Sequence, residues 1–198
     1  MSLPTPRGGT LESVNVARAE AREINGQRVM TAIGKRPVDG AVEVRPLGLA
    51  GDEQADLSVH GGLAKAVYAY PLEHYPVWQT LRAQAGAAGW DTPLAPGAMG
   101  ENLSLRGLLE TEVWVGDVLR FEQCALVVSE PRFPCFKFNA AMGFNKAAKM
   151  MAQSGYCGFY LAVKTPGCLR AGERFELVPG PRELGIVELF RAKAHRIG

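Results

Sequence analysis

Cys135 stands in the segment Pro131-Arg132-Phe133-Pro134-Cys135-Phe136-Lys137, and no other stretch of the chain says as much about chemistry. Two prolines fix the backbone before the thiol and remove two amide donors, so a stiff loop is expected rather than a strand interior. Arg132 and Lys137 place two cations within three residues of the sulfur. Nearby positive charge favours thiolate over thiol, and the thiolate is both a nucleophile and a soft metal ligand. The alternative is a small buried hydrophobe, the usual role of a free cysteine.

A second segment runs Gly51-Asp52-Glu53-Gln54-Ala55-Asp56 into Val59-His60-Gly61-Gly62 and then Lys65. Paired glycines let backbone approach a ligand closely, and His60 and Lys65 could offer a donor and a charge to an anion such as phosphate. Read alone, it is equally a turn with a surface histidine. A third, Gly97-Ala98-Met99-Gly100-Glu101-Asn102-Leu103, can aim amide and carboxylate groups into a cleft, or cap its own turn. Thr31 and Lys35 share one face by strand spacing. Neither a dinucleotide Gly-x-Gly-x-x-Gly loop nor a Walker-type loop is present.

These residues need a scaffold, and the chain of 198 residues is long enough for one good core. With 47% hydrophobic and 21% charged residues and a net charge of +2, it reads as a soluble globular domain. That charge is too small and too dispersed to argue for a nucleic-acid polymer as partner. No apolar run approaches the roughly 20 residues needed to cross a bilayer, and Met1 to Thr10 does not resemble a signal peptide. A cytoplasmic protein with no membrane partner is expected, its thiols reduced. Cys124, Cys135, Cys157 and Cys168 lie 11, 22 and 11 residues apart, which is no zinc pattern. Cys124 and Cys157 border apolar strands and read as core, while Cys168 is a weaker candidate second thiol.

Short alternating segments dominate. Strands are expected at 11–17, 28–33, 42–44, 66–70, 102–105, 112–115, 118–121, 125–129, 159–164 and 174–178. Glycine–acid turns at Gly116-Asp117 and Gly172-Glu173 suit tight connections into a curved sheet. Leu72, Tyr75, Trp78 and Leu81 predict one helix, with Pro76 in its first turn and Gly86 beyond its end. Phe144, Ala147, Ala148 and Met151 predict another, ended by Gly155. The stretch from Gly86 to Met99 reads as a surface loop. The fold class is β-rich, mixed α+β, a barrel or sandwich with a few peripheral helices.

Taken in order, Thr31-x-Ile33-x-Lys35, Gly51-Asp52 through His60-Gly61-Gly62, Gly100-Glu101-Asn102-Leu103, Gly116-Asp117 and Pro131-Arg132-x-Pro134-Cys135-x-Lys137 resemble a MOSC domain. Within that family the chain is most similar to single-domain bacterial proteins of the YiiM type, which protect against N-hydroxylated purine bases. The resemblance implies a MOSC-type β-barrel in a single domain over 1–198, with its core at about 28–178 and a short helical extension at about 183–196. It implies binding of the molybdenum cofactor (molybdopterin), with Cys135 as the catalytic residue and molybdenum ligand. It places Arg132 and Lys137 against the anionic cofactor, and His60, Gly61, Lys65, Asn102, Lys35 and Thr31 around the pocket, with Asp52 and Gln54 orienting the loop. The implied reaction is reduction of N–OH to N–H in a small-molecule substrate, with electrons from an external reductase and a homodimer as one possible state. Family members often continue into a helical tail, and any dimerising or docking role of that tail is open here.

Two other readings stand beside an oxidoreductase. Cys135 could carry a persulfide in sulfur transfer, or the domain could bind the cofactor without turnover.

Overall fold

The computed structural model describes residues 7–55 and 61–194. His60 and Asp56 therefore lie outside the described residues. In chain order the elements are β1 (Gly8–Val16), β2 (Glu20–Ile24), β3 (Gln27–Thr31), β4 (Arg36–Pro37), β5 (Val42–Arg45), β6 (Gly48–Leu49), β7 (Val67–Pro71) and α1 (Tyr75–Gln84). There follow β8 (Leu103–Arg106), β9 (Val118–Arg120), β10 (Ala125–Pro131), α2 (Phe136–Met142), α3 (Ala147–Ser154), β11 (Phe159–Thr165), β12 (Gly167–Leu169), β13 (Arg174–Val178) and α4 (Ile186–Ala194).

The strands run β13-β9-β10-β11-β7-β8-β1, and β1 pairs back onto β13, closing a barrel of seven strands with β4 added beside β1. Closure removes the sheet edges that an open sheet would leave unpaired. All neighbours are antiparallel except β7 and β8. β7, Val67-Tyr68-Ala69-Tyr70-Pro71, is buried at every position, as a continuous apolar run between two paired neighbours should be. Leu11, Val14, Leu103, Leu105, Leu119 and Leu126 fill the interior.

The helices pack outside. A single 3-10 turn at Leu72–His74 leads into α1, whose first turn holds Pro76 where its missing donor costs nothing. Trp78 of α1 meets Phe138 of α2 edge to face at 5.3 Å, and its indole donates to the Tyr70 hydroxyl at 2.6 Å. α3 ends at Gly155 in the left-handed conformation, as its sequence requires. Phe190 of α4 stacks on Phe133 at 5.2 Å. No helix among the described residues is long and apolar enough to cross a membrane.

Several elements depart from the sequence expectation, the short strands β4, β6 and β12 among them. The expected strand at 112–115 is a 3-10 turn at Glu110–Glu112 and an isolated bridge from Trp114 to Gly185. Its alternation is genuine, but the lead-in to α4 faces it, with Val115 donating to Leu184. α2 was not expected, because seven residues offer only Phe138 and Met142 as buried anchors. β2 was missed too, although Asn25-Gly26, both at positive φ, is a strong hairpin signal.

Glu101 holds the approach to β8. Its carboxylate is fully buried and accepts from the Tyr75 and Ser104 hydroxyls and the Gly97 and Met99 amides. Burial pushes its pKa up against those four donors. A carboxyl raised in the folded state contributes its full stability below the ordinary carboxylate value and loses it as pH rises through the raised value. Glu101→Ala orphans the donors, and chemical denaturation should show a loss of roughly 3 kcal/mol or more. The deficit relative to wild type should be larger near pH 4 than near pH 8.

Candidate functional site

The register of four neighbouring strands assembles the site. Pro131 pairs with Phe159, Phe159 with Ala69, and Ala69 with Leu103. One step along, Glu130 faces Tyr160 and Tyr160 faces Tyr68. Arg132, Tyr160, Tyr68 and Asn102 thereby arrive at one cleft from four segments distant in sequence. Its other lining residues include Thr31, Ala32, Ile33, Lys35, Asp52, Glu53, Gln54, Ala55, Lys65, Ala66, Gly100, Cys135 and Lys137. The cleft opens to solvent and has a cavity volume of about 100 Å³.

Cys135 occupies the extended residue immediately before α2, partly exposed. β10 ends at Pro131, so the loop expected around the thiol is the link from strand to helix. Cys124 and Cys157 are buried. Burial, with Glu173 and Cys168 nearby, pushes the Cys124 thiol up to about 12, and burial raises Cys157 well above its ordinary value.

Arg132 is only 4% exposed, and no carboxylate pairs with it among the described residues. Its guanidinium lies over the rings of Phe138 at 4.9 Å and Tyr68 at 5.3 Å. It donates to the Met151 sulfur at 3.4 Å and to the Tyr160 side chain. Burial opposes its charge, but Tyr68, Tyr160 and the Cys135 sulfur favour it, and its pKa rises. Such a cation is suited to an incoming anion.

The other cations are engaged. Lys35 is paired with Asp52, both side chains under a tenth exposed; burial pulls the lysine below its ordinary pKa while Asp52 pulls it back. Asp52 also accepts from the Ala17 amide at 2.8 Å and the Asn102 side chain at 2.9 Å. Lys65 lies 3.8 Å from Glu130 and over the Tyr160 ring. Lys137 donates to the Met30 carbonyl at 2.9 Å.

Of the residues named from sequence, Thr31, Lys35, Asp52, Gln54, Lys65, Asn102, Arg132, Cys135 and Lys137 line this one cleft. Gly61 is not among the lining residues. Its neighbour Gly62 donates to Gln54 at 2.8 Å, tying the two ends of that loop together. Glu101 points away from the cleft into its own turn. Sequence reasoning missed Tyr68 and Tyr160, which sit in strands as ordinary aromatic residues and gain meaning only from Arg132.

Fold and site together define a closed β-barrel protein with a thiol-bearing, cation-rich ligand cleft. A family model described as MOSC domain matches residues 56–176. Protein YiiM of Escherichia coli is 39% identical over 159 residues, 80% of this chain and 68% of that protein. The crystal structure of YiiM from Geobacillus stearothermophilus superposes with a TM-score of 0.75 at 30% identity, over 95% of this chain and 85% of that one. A protein named Reductase from Gibberella moniliformis is 33% identical over 186 residues, 91% of this chain and 31% of that protein. The chain belongs to the MOSC domain family, a domain associated generally with molybdenum cofactor binding.

A thiol-specific chromogenic reagent should modify two cysteines quickly in the native protein, Cys135 and Cys168, and the other two only on unfolding. Cys135→Ser should leave one fast thiol. Three or four fast thiols would contradict the burial of Cys124 and Cys157.

Proposed function

We propose that this protein is a molybdenum-cofactor oxidoreductase that reduces N-hydroxylated small molecules such as N-hydroxylated purine bases. The observation that carries the proposal is the partly exposed Cys135 thiol in the same cleft as Arg132, a buried cation without a carboxylate partner among the described residues.

The residues fit the group. Among the described residues no set of three His, Cys, Asp or Glu side chains could hold a metal, so a metal caged by side chains alone has no support here. One soft sulfur suits a centre whose remaining donors come from the pterin dithiolene. Cys135 would be the protein ligand, and Arg132, with Lys65 and Lys137, would meet the anionic pterin phosphate. The bound cofactor would supply the two-electron redox capacity that side chains lack.

In the net reaction R–NHOH takes two electrons and two protons to give R–NH2 and water. The N–O bond breaks, an N–H bond forms, and the electrons come from a separate reductase. The chain's own residues bind and orient. Tyr68 and Tyr160 wall the cleft beside Arg132, and Asn102 is fixed by Asp52 and by the Tyr68 amide, which donates to it at 3.1 Å. The likeness to YiiM and to a protein named Reductase supports this reading.

The test is protein isolated with cofactor and supplied with an artificial electron donor and a hydroxylaminopurine. Wild type should consume the substrate, and Cys135→Ser should lose at least about a hundredfold in rate. Arg132→Met should retain about tenfold less molybdenum after dialysis, by elemental analysis. Full turnover by Cys135→Ser would remove the thiol from the reaction. Sulfur added stably to Cys135 in protein without molybdenum would move the assignment to sulfur carriage.

A further inference from the structure

At Thr31 the cleft meets a ribbon that is not part of the barrel. β2 and β3 pair only with each other, from Glu20–Thr31 to Ile24–Gln27, as a separate ribbon. Of its ten strand residues only Ile24 and Thr31 are buried, and Met30 is 48% exposed. An isolated two-stranded ribbon is at best marginally stable in water, so its position depends on what ties it down.

The ties come from the cleft. Before β2, Asp52 accepts from the Ala17 amide and Glu53 from the Ala19 amide, each at 2.8 Å. At the same base, where the ladder sets Ala21 against Met30, Lys137 donates to the Met30 carbonyl, and β3 runs directly into Ala32 and Ile33 of the cleft wall. Three charged side chains that line the cleft thus hold the base of the ribbon. Lys137 is two residues from Cys135, and its partner is a neutral carbonyl. An anion competes well for an ammonium so engaged, because it adds a full opposite charge that the carbonyl lacks.

We propose that the β2–β3 ribbon is latched to the cleft through Lys137, and that an anion entering the cleft draws the lysine from the Met30 carbonyl and loosens the ribbon. Occupancy of the cleft is then reported at the protein surface as a change in order of residues 20–31. Asp52 and Glu53 keep the segment before β2 attached while the hold on β3 is released. The barrel strands, bonded on both sides, stay fixed.

Hydrogen exchange followed by mass spectrometry tests this on the chain without cofactor, so its outcome is separate from that of the redox reading. Lys137→Met should speed exchange of the ribbon amides by about tenfold, the loss expected for one charged hydrogen bond, while peptides from β7, β10 and β11 stay unchanged. Lys137→Arg keeps a donor and should restore slow exchange. Millimolar inorganic pyrophosphate should accelerate the ribbon in wild type and have no further effect in Lys137→Met. Ribbon exchange unaltered by Lys137→Met overturns the latch. Acceleration by the variant with no response, or slower exchange, on adding pyrophosphate overturns release by anions.

Discussion

A guanidinium taken out of water must be compensated, and among the described residues Arg132 is compensated without a carboxylate. Aromatic faces, a thioether sulfur and a phenol oxygen surround it. Those contacts hold its position but leave its charge unneutralised. An acid at this point would have formed a closed ion pair and an ordinary core. With none among the described residues, the cleft is receptive to negative charge, next to a thiol that solvent can reach.

The barrel explains why such an arrangement survives. Arg132 immediately follows β10, and Tyr68 and Tyr160 come from strands paired on both sides. Aromatic rings held by closed hydrogen-bonded ladders cannot easily rotate away from the cation, so the pocket keeps its shape before any ligand arrives. Opposite this rigid floor lies a softer wall, where Lys35, Asp52 and Asn102 form a network tied to the ribbon's base. Buried pairs of this kind are poor sources of net stability, since desolvation offsets much of their attraction. Their effect here is to fix the direction in which amide and carboxylate groups face.

Glycine-permitted contacts bring the two walls together. Gly97 and Gly100 both have positive φ, and a Cβ at either would collide with Lys35 backbone or the Ile33 side chain. The loop bearing Glu101 and Asn102 can therefore lie directly against the segment from Ile33 to Lys35. Sequence reading singled out Gly97-Ala98-Met99-Gly100 but could not tell whether Glu101 faced the cleft. Four donors turned it inward, and Asn102 alone among the pair reached the site.

Residue types and order along the chain determined much about this protein. A β-rich barrel with peripheral helices, the two periodic helices, the stiff loop around Cys135 and most of the residues now found at one cleft were legible, because alternation, helical spacing and proline placement act locally. Short α2 and the turn at Glu110–Glu112 were not, since each depends on which neighbour supplies the hydrogen bonds. Tertiary structure alone decided that Tyr68 and Tyr160 flank Arg132, that Lys35 meets Asp52, and that Lys137 turns to Met30. Strand register sets the first of these, with Tyr160 facing Tyr68, and register arises from pairing between segments far apart in sequence.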